Sequence, residues 1–277
     1  MFFKNWMSYL KDDAKITKIV MPGSHNAQTA GMNKLGRCQC GSLYEQYLCG
    51  VRYFDIRIKS DRKGRLFAAH GIIKGMPAEE VFASLKKILD ESDEFFIIDL
   101  KTYMNQRFGP IKLSYNSNTD ETNRLITEYL NPEKYALTDV ENISEMTIGD
   151  IRKSGKKYII INEKEEYKYS VKGPMIGPWN PEIFGLKPEK FVKENIKYLK
   201  NLNSDGFFWS QTQQTPNPGS EVGMTCPDTL EKNSKPYFKG VIKEIAEDEN
   251  MLKITDEFPG LERRDVTPPS FLKSYKE

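Results

Sequence analysis

The sequence predicts an α/β fold, a single distorted barrel of the TIM type, on three observations. Short apolar, β-branched runs alternate with longer amphipathic stretches, the pattern of a parallel sheet covered by helices. Seven such runs occur, and no long linker divides them. The 277 residues are enough to bury a sizeable core in one large domain. Residues 1–277 are accordingly expected to form one domain, with a doubly wound open sheet as the alternative fold.

Taken in order, the expected strands are Ile16–Met21, Val51–Ile58, Arg65–His70, Phe95–Lys101, Tyr158–Asn162, Gly206–Gln211 and Met251–Asp256. The expected helices are Ser42–Cys49, Ala78–Glu91, Asp120–Leu130, Lys187–Leu202 and Lys235–Asp248. In Ala78–Glu91 the apolar set Val81, Phe82, Leu85, Ile88 and Leu89 recurs at helical spacing, as a helix docked on a sheet requires. The stretches Gly109–Thr119 and Thr212–Asp228 are rich in Pro, Gly, Ser, Asn and Thr and read as loops. No internal repeat is visible.

Composition narrows the function classes. Hydrophobic residues make up 38% and charged residues 29%, the balance of a folded, water-soluble body. A net charge of +2 supplies no field for nonspecific nucleic-acid binding. Mean hydropathy is −0.61, and no apolar run approaches the ~20 residues that span a bilayer. The N-terminal segment MFFKNWMSYLKDD lacks the apolar core of a secretory signal, so a cytoplasmic chain, or one secreted after processing, is expected. Cys38, Cys40, Cys49 and Cys226 match neither a disulfide framework nor a zinc knuckle and read as packed or free thiols.

The candidate chemistry starts from a shortage. The chain has two histidines, His25 in MPGSHNAQT and His70 in LFAAHGI, and each stands at the end of an expected strand, where a barrel presents its active-site residues. A single ring there would more often cap a loop carbonyl, but two of two make a general base and general acid around one reacting centre the stronger reading. Between them, in GVRYFDIR, Tyr53, Asp55 and Arg57 alternate onto one strand face, with Phe54, Ile56 and Ile58 on the other. Asp55 and Arg57 form either a self-satisfied internal ion pair or a phosphate clamp, with the planar Arg57 fork oriented by Asp55.

These strings carry a resemblance. NWMSYLKDDAKITKIVMPGSHNAQTAG, the helix before GVRYFDIRI, then AAHG and EFFIIDLK, resemble in order the catalytic X domain of phosphatidylinositol-specific phospholipase C. They are most similar to its small bacterial members and to the trypanosome enzyme that cleaves glycosylphosphatidylinositol anchors. Later stretches, IGDIRKSGKKYIIIN, WSQTQQTPNP and MLKITDEF, resemble that family less strongly. The resemblance implies cleavage of phosphatidylinositol or a glycosylphosphatidylinositol lipid to diacylglycerol and a 1,2-cyclic inositol phosphate. It implies His25 as general base, Asp256 as the carboxylate on the other His25 nitrogen, Arg57 against the phosphoryl oxygens and His70 as the acid for the leaving oxygen.

The departures from the family pattern carry their own expectations. Bacterial members have Asp after the first histidine where this chain has Asn26, so His70 is expected to lack a charged partner. Calcium-dependent relatives place carboxylates where this chain has Arg57 and Lys101, and two cations repel a divalent ion, so no metal and no cofactor is expected. Asn162, Thr212 and Gln214 stand where bacterial members carry charged or phenolic head-group contacts, and can still hydrogen-bond hydroxyls. Along with Asn26 and Lys101 they are the expected substrate contacts.

The expected partner is an inositol phospholipid at a membrane surface, with no nucleic acid and no obligate protein. For the bilayer contact two segments are candidates: the stripe Phe2, Phe3, Trp6, Met7 and Leu10, read chiefly as a plug in the barrel floor, and the loop Pro178–Phe184, whose Trp179 suits an interface. Two rival functions stay open. A glycerophosphodiesterase or sphingomyelinase D relative would need an acid where FDIR has Arg57, and a silent lipid-binding module would be signalled by a missing histidine.

Overall fold

Most of the chain's order is set by one strand, β2 (Tyr53–Ser60), against which the other site-bearing elements are registered. The structure, a computed structural model, describes residues 2–19, 21–108, 111–138, 143–162, 167–171, 175–176, 186–200, 207–208, 229–230, 232–233 and 236–237. Ahead of β2 lie a 3₁₀ segment Phe2–Tyr9, a 3₁₀ turn Ile16–Lys18, strand β1 (Gly23–Ser24), a 3₁₀ turn Ala27–Thr29 and helix α1 (Leu43–Leu48). After it come β3 (Leu66–His70), β4 (Ile73–Pro77), α2 (Ala78–Glu91), β5 (Phe96–Lys101), β6 (Tyr103–Phe108) and β7 (Ile111–Asn116). The rest is α3 (Thr119–Leu130), α4 (Pro132–Tyr135), α5 (Ile148–Ser154), β8 (Tyr158–Ile161), β9 (Ser170–Val171), β10 (Met175–Ile176), α6 (Pro188–Lys200) and β11 (Phe207–Phe208).

The main sheet runs β4-β3-β2-β5-β8-β9, with β1 also paired to β2. Its centre is parallel: β1, β5 and β2 run together, as do β5, β8 and β9. Buried on both faces, such strands read as near-continuous apolar runs, which is why FFIIDL and YIII were legible. One face packs Phe54, Ile56, Ile58, Phe96, Ile98, Leu100, Tyr158 and Ile160 against the buried stripes of α2 and α3. The capping box of Ser42 and Glu45 starts α1, and Asn118 caps α3, so each helix begins where its first orphan N–H groups find a side chain.

The other face is apolar at its lower end and charged at its upper end. Tyr53, Phe95, Ile97, Ile159 and Ile161 pack with Trp6, Met7, Leu10, Ala14 and Ile16, so the N-terminal segment plugs the floor, as its apolar stripe suggested. The Trp6 indole N–H donates to the Gly50 carbonyl at 2.9 Å, and Arg52, fully buried, is held by Glu94 at 2.6 Å and 2.5 Å. Above this floor the same face carries Asp55, Arg57, Asp99 and Lys101. Among the described residues no helix is long and apolar enough to cross a membrane.

Three expectations need correction. Ile16–Met21 is not a strand: Ile16–Lys18 is a 3₁₀ turn tied to the 143–148 segment by Ile16 N–H to Met146 O, and the strand that pairs with β2 is Gly23–Ser24, after Pro22. Arg65–His70 is a strand, Leu66–His70, but it runs antiparallel to β2, with β4 antiparallel to it in turn. The chain between β2 and β3 is a tight turn around Asp61 and Gly64 (φ +79°), far too short for a parallel crossover. The loop expected over Gly109–Thr119 is largely the second strand of the β6–β7 hairpin: Ile111, Leu113 and Tyr115 alternate with Lys112, Ser114 and Asn116, a pattern outweighed by the turn-forming residues on either side. The expected strand Met251–Asp256, the helix Lys235–Asp248 for the most part, and the loops Pro178–Phe184 and Thr212–Asp228 lie outside the described residues.

Candidate active site

Sheet register gathers the site at one level of β2. Because β1 pairs Ser24 with Phe54, the next residue, His25, stands beside Asp55. Because β5 runs parallel in the register Asp55↔Asp99 and Arg57↔Lys101, two carboxylates and two cations lie side by side on the same face. Because β3 folds back antiparallel from Ile58↔Ala68, His70 returns to the height of Ile56. His70 thus reaches the site from a strand running the opposite way to the one expected.

Asp55 is the hub. It is fully buried and accepts from His25 Nδ1 at 2.9 Å, from Arg57 Nη2 at 2.8 Å and Nε at 3.1 Å, and from the Asn26 backbone N–H at 3.2 Å. Lys101 Nζ lies 3.4 Å from it and 2.5 Å from Asp99, whose other contact is the Tyr53 hydroxyl at 2.6 Å. Burial alone would raise the Asp55 pKa, but Arg57, Lys101 and His25 hold it well below the usual carboxylate range. Asp99, with less compensation, is pushed up by burial. Burial would also lower the Arg57 pKa, and the Asp55 charge and hydrogen bond more than offset it, so Arg57 stays cationic.

This geometry fixes a tautomer. With Nδ1–H donated to Asp55, neutral His25 keeps its lone pair on Nε2, where the Asn26 amide donates to it at 2.7 Å. Burial first, then the Arg57 charge, bring the imidazole down to about 4, against the opposing pull of Asp55. His25 is therefore neutral at pH 7, the form a base needs. Asn26 holds its place in the left-handed region (φ +49°), which Asn tolerates better than most residues.

His70 is positioned by backbone rather than by a carboxylate. Its Nδ1–H donates to the Gly36 carbonyl at 2.9 Å, which leaves Nε2 for a transferable proton. Burial, then Arg57, lower its pKa, with the Gly36 bond opposing. Cys38 Sγ lies 3.7 Å from Nδ1 and 3.9 Å from Nε2, and 3.5 Å from the Asn26 amide nitrogen. A hydrogen bond to one ring nitrogen would leave the other ~2 Å farther away, so the near-equal distances place the sulfur over the ring rather than on its edge.

Comparison with known proteins follows the same lines. A 1-phosphatidylinositol phosphodiesterase of Listeria monocytogenes is 22% identical over 236 residues, 76% of this chain and 71% of that protein. One from Staphylococcus aureus (strain Newman) is 27% identical over 125 residues, 43% of this chain and 37% of that protein. The solved phosphatidylinositol-specific phospholipase C of L. monocytogenes superposes with a TM-score of 0.61 over 99% of both chains, at 16% identity. The chain is similar to the bacterial phosphatidylinositol-specific phospholipases C in sequence and in fold. A variant of the S. aureus phospholipase C superposes with a TM-score of 0.62 over 87% of both chains, at 17% identity. That likeness identifies the fold as α/β, a single distorted TIM-type barrel like that of the phospholipases C, of which the described strands form an open arc. No protein-family profile matches the chain.

Of the site residues singled out from the sequence, His25, Asn26, Asp55, Arg57, His70 and Lys101 fall in one cluster. Asn162 ends β8 buried, its amide donating to the Leu100 carbonyl at 2.7 Å, a bond that ties β8 to β5. Asp256, Thr212 and Gln214 lie outside the described residues. The position expected for Asp256, against His25 Nδ1, is taken by Asp55. Sequence reading missed Asp99, Tyr53 and Cys38 as members of the cluster, and Tyr115 of β7, whose hydroxyl is pushed up to about 12 by burial near Arg57. The signal for Asp99 was present: Asp99-x-Lys101 repeats the spacing of Asp55-x-Arg57. Among the described residues no three His, Cys, Asp or Glu side chains converge as metal ligands.

Proposed function

We propose that this chain is a phosphatidylinositol-specific phospholipase C that cleaves phosphatidylinositol or glycosylphosphatidylinositol lipids without a metal ion. The observation that carries the reading is the His25–Asp55–Arg57 constellation: one carboxylate fixes the base tautomer and aims the guanidinium beside it. The relatives' name, 1-phosphatidylinositol phosphodiesterase, supports the substrate class.

In this mechanism Nε2 of His25 exchanges the Asn26 amide for the inositol 2-hydroxyl and takes its proton. The freed oxygen attacks its own phosphorus, forming the new P–O bond of a 1,2-cyclic phosphate. The P–O bond to the glyceride breaks, and His70 delivers its Nε2 proton to that leaving oxygen, giving diacylglycerol. Charge developing on the phosphoryl oxygens meets Arg57 and, one strand over, Lys101, which supply fixed electrostatic stabilisation in a water-poor site. Asp55 stays ionised throughout, as the group that holds the imidazolium while it exists.

The test is turnover by the purified protein on phosphatidylinositol, its phosphorylated forms and a glycosylphosphatidylinositol anchor, each with and without chelator. Diacylglycerol release that survives EDTA is expected. Turnover abolished by EDTA and restored by calcium would overturn the metal-free mechanism, and no turnover on any inositol lipid would leave the silent lipid-binding module.

A further inference from the structure

We propose that Asp99 is a head-group contact of the lipid site, its Oδ1 accepting a hydrogen bond from a ring hydroxyl of the inositol. Asp99 stands on β5 in register with Asp55, on the charged part of the same sheet face, and only 9% of its side chain reaches solvent. Its two carboxylate oxygens are used unequally. The Lys101 ammonium at 2.5 Å and the Tyr53 hydroxyl at 2.6 Å both donate to Oδ2. Oδ1 meets no donor among the described residues and keeps contact with solvent. The strands on either side supply none: in register Asp99 faces Asp55 of β2, itself an acceptor, and Ile161 of β8, which is apolar. A carboxylate oxygen in so buried a place is costly until a donor reaches it, and burial does push the Asp99 carboxyl above its usual range.

Charge decides what kind of donor that is. A site built for phosphate alone would gain by leaving Lys101 uncompensated, because a carboxylate beside the ammonium weakens its pull on phosphoryl oxygens. Asp55 already lies 3.4 Å from Lys101 as a counter-ion. Asp99 therefore costs affinity for an anion, and it repels any second phosphate on the head group. What suits Oδ1 is an uncharged O–H, and hydrogen bonds to an ionised carboxylate are among the stronger ones. With Oδ2 fixed by two donors the carboxylate has little freedom left to lose, so Oδ1 is preorganised for that bond.

This inference rests on the inositol-lipid function proposed above and extends it from the reacting 2-hydroxyl to a second hydroxyl of the same ring. Neighbouring strands lie about 4.8 Å apart, so Asp99 and the His25 that Asp55 holds are within reach of one six-membered ring. With the 2-hydroxyl at His25, the partner of Asp99 is a hydroxyl farther round, on carbon 3, 4, 5 or 6.

The experiment is a cycle between side chain and ligand hydroxyl. Calorimetry measures the binding of inositol 1-phosphate, its analogues singly deoxygenated at carbons 3 to 6, and glycerol 3-phosphate. The proteins are wild type, Asp99→Asn and Asp99→Ala, each checked for folding by its melting temperature. Turnover is measured separately on a short-chain inositol lipid kept monomeric. One deoxy analogue should bind wild type about tenfold or more weakly than the parent. Asp99→Asn, whose neutral amide accepts more weakly, should separate the two by about threefold or less, and Asp99→Ala should not separate them. Glycerol 3-phosphate, which lacks the ring, should bind both variants no worse than wild type. Wild type that binds every analogue as tightly as the parent would overturn the contact, whatever the variants do. So would variants that lose the same factor for every ligand, since Asp99 would then act only by placing Lys101. Either result with turnover intact leaves the function standing. The expected coupling, with no turnover on the inositol lipid, would overturn the function and leave the head-group contact.

Discussion

Replacing Asp55 by Asn keeps the volume and removes one charge from the centre of the site. In the wild-type chain that carboxylate, with no exposed surface, meets two cations, an imidazole N–H and a backbone N–H. Removing one partner of a buried ion pair costs about 3–5 kcal/mol. Arg57 and Lys101 each keep about a fifth of their side-chain surface in water, and Lys101 retains Asp99, so the lower end, ~3 kcal/mol, applies. For a domain of this size that is a drop of roughly 6–12 °C in melting temperature. The loss should have a pH signature: a depressed carboxylate contributes stability above its unfolded pKa and loses it as pH falls through the folded value, so the gap between wild type and variant should begin to narrow below about 3.8 and close only at pH values well below it. Turnover should fall by ~10²–10⁴, since the His25 tautomer and the Arg57 fork are lost together. Urea and thermal unfolding at pH 7 and pH 3, alongside steady-state kinetics, make the assay. A variant as stable as wild type and within a few-fold of its turnover would refute the hub role of Asp55.

The pH dependence of kcat/KM should be a bell displaced to the acid side, its acid limb near 4 from His25 and its alkaline limb below 6.5 from His70; a plateau extending past pH 8 would contradict the acid assignment. Arg57→Gln removes a cation that depresses His25, so its residual activity should show the acid limb shifted upward, and an unmoved limb would separate the two residues. His70→Ala should recover on a lipid with a thiol leaving group, which needs little protonation, while His25→Ala should not; equal recovery or equal loss would remove His70 from the acid role. Asp256→Asn should cost less than Asp55→Asn if Asp55 alone holds Nδ1, and a larger loss would restore Asp256 as the partner of His25.

What the sequence made legible follows from strand periodicity. Tyr53, Asp55 and Arg57 alternate against Phe54, Ile56 and Ile58, a pattern that needs no tertiary knowledge to read, and both histidines stand just past or at the end of a strand. Pairing was harder to see. A two-residue strand such as β1 offers no alternation, and the antiparallel return of β3 depends on a short turn around Asp61 rather than on the strand's own composition. Which carboxylate meets His25 depends on the register of β1 on β2, and Cys38 arrives from an irregular segment whose N–H groups at Cys38 and Gln39 are tied to Thr29 Oγ1.

The central claim is that His25 delivers an internal hydroxyl, rather than water, to phosphorus. Phosphorus NMR of the products formed from phosphatidylinositol vesicles in EDTA tests it most directly. The account predicts that a five-membered cyclic inositol phosphate accumulates first, matched by diacylglycerol, with any monoester appearing later. An acyclic inositol phosphate or phosphatidic acid as the first product, with no cyclic signal at early times, would contradict it.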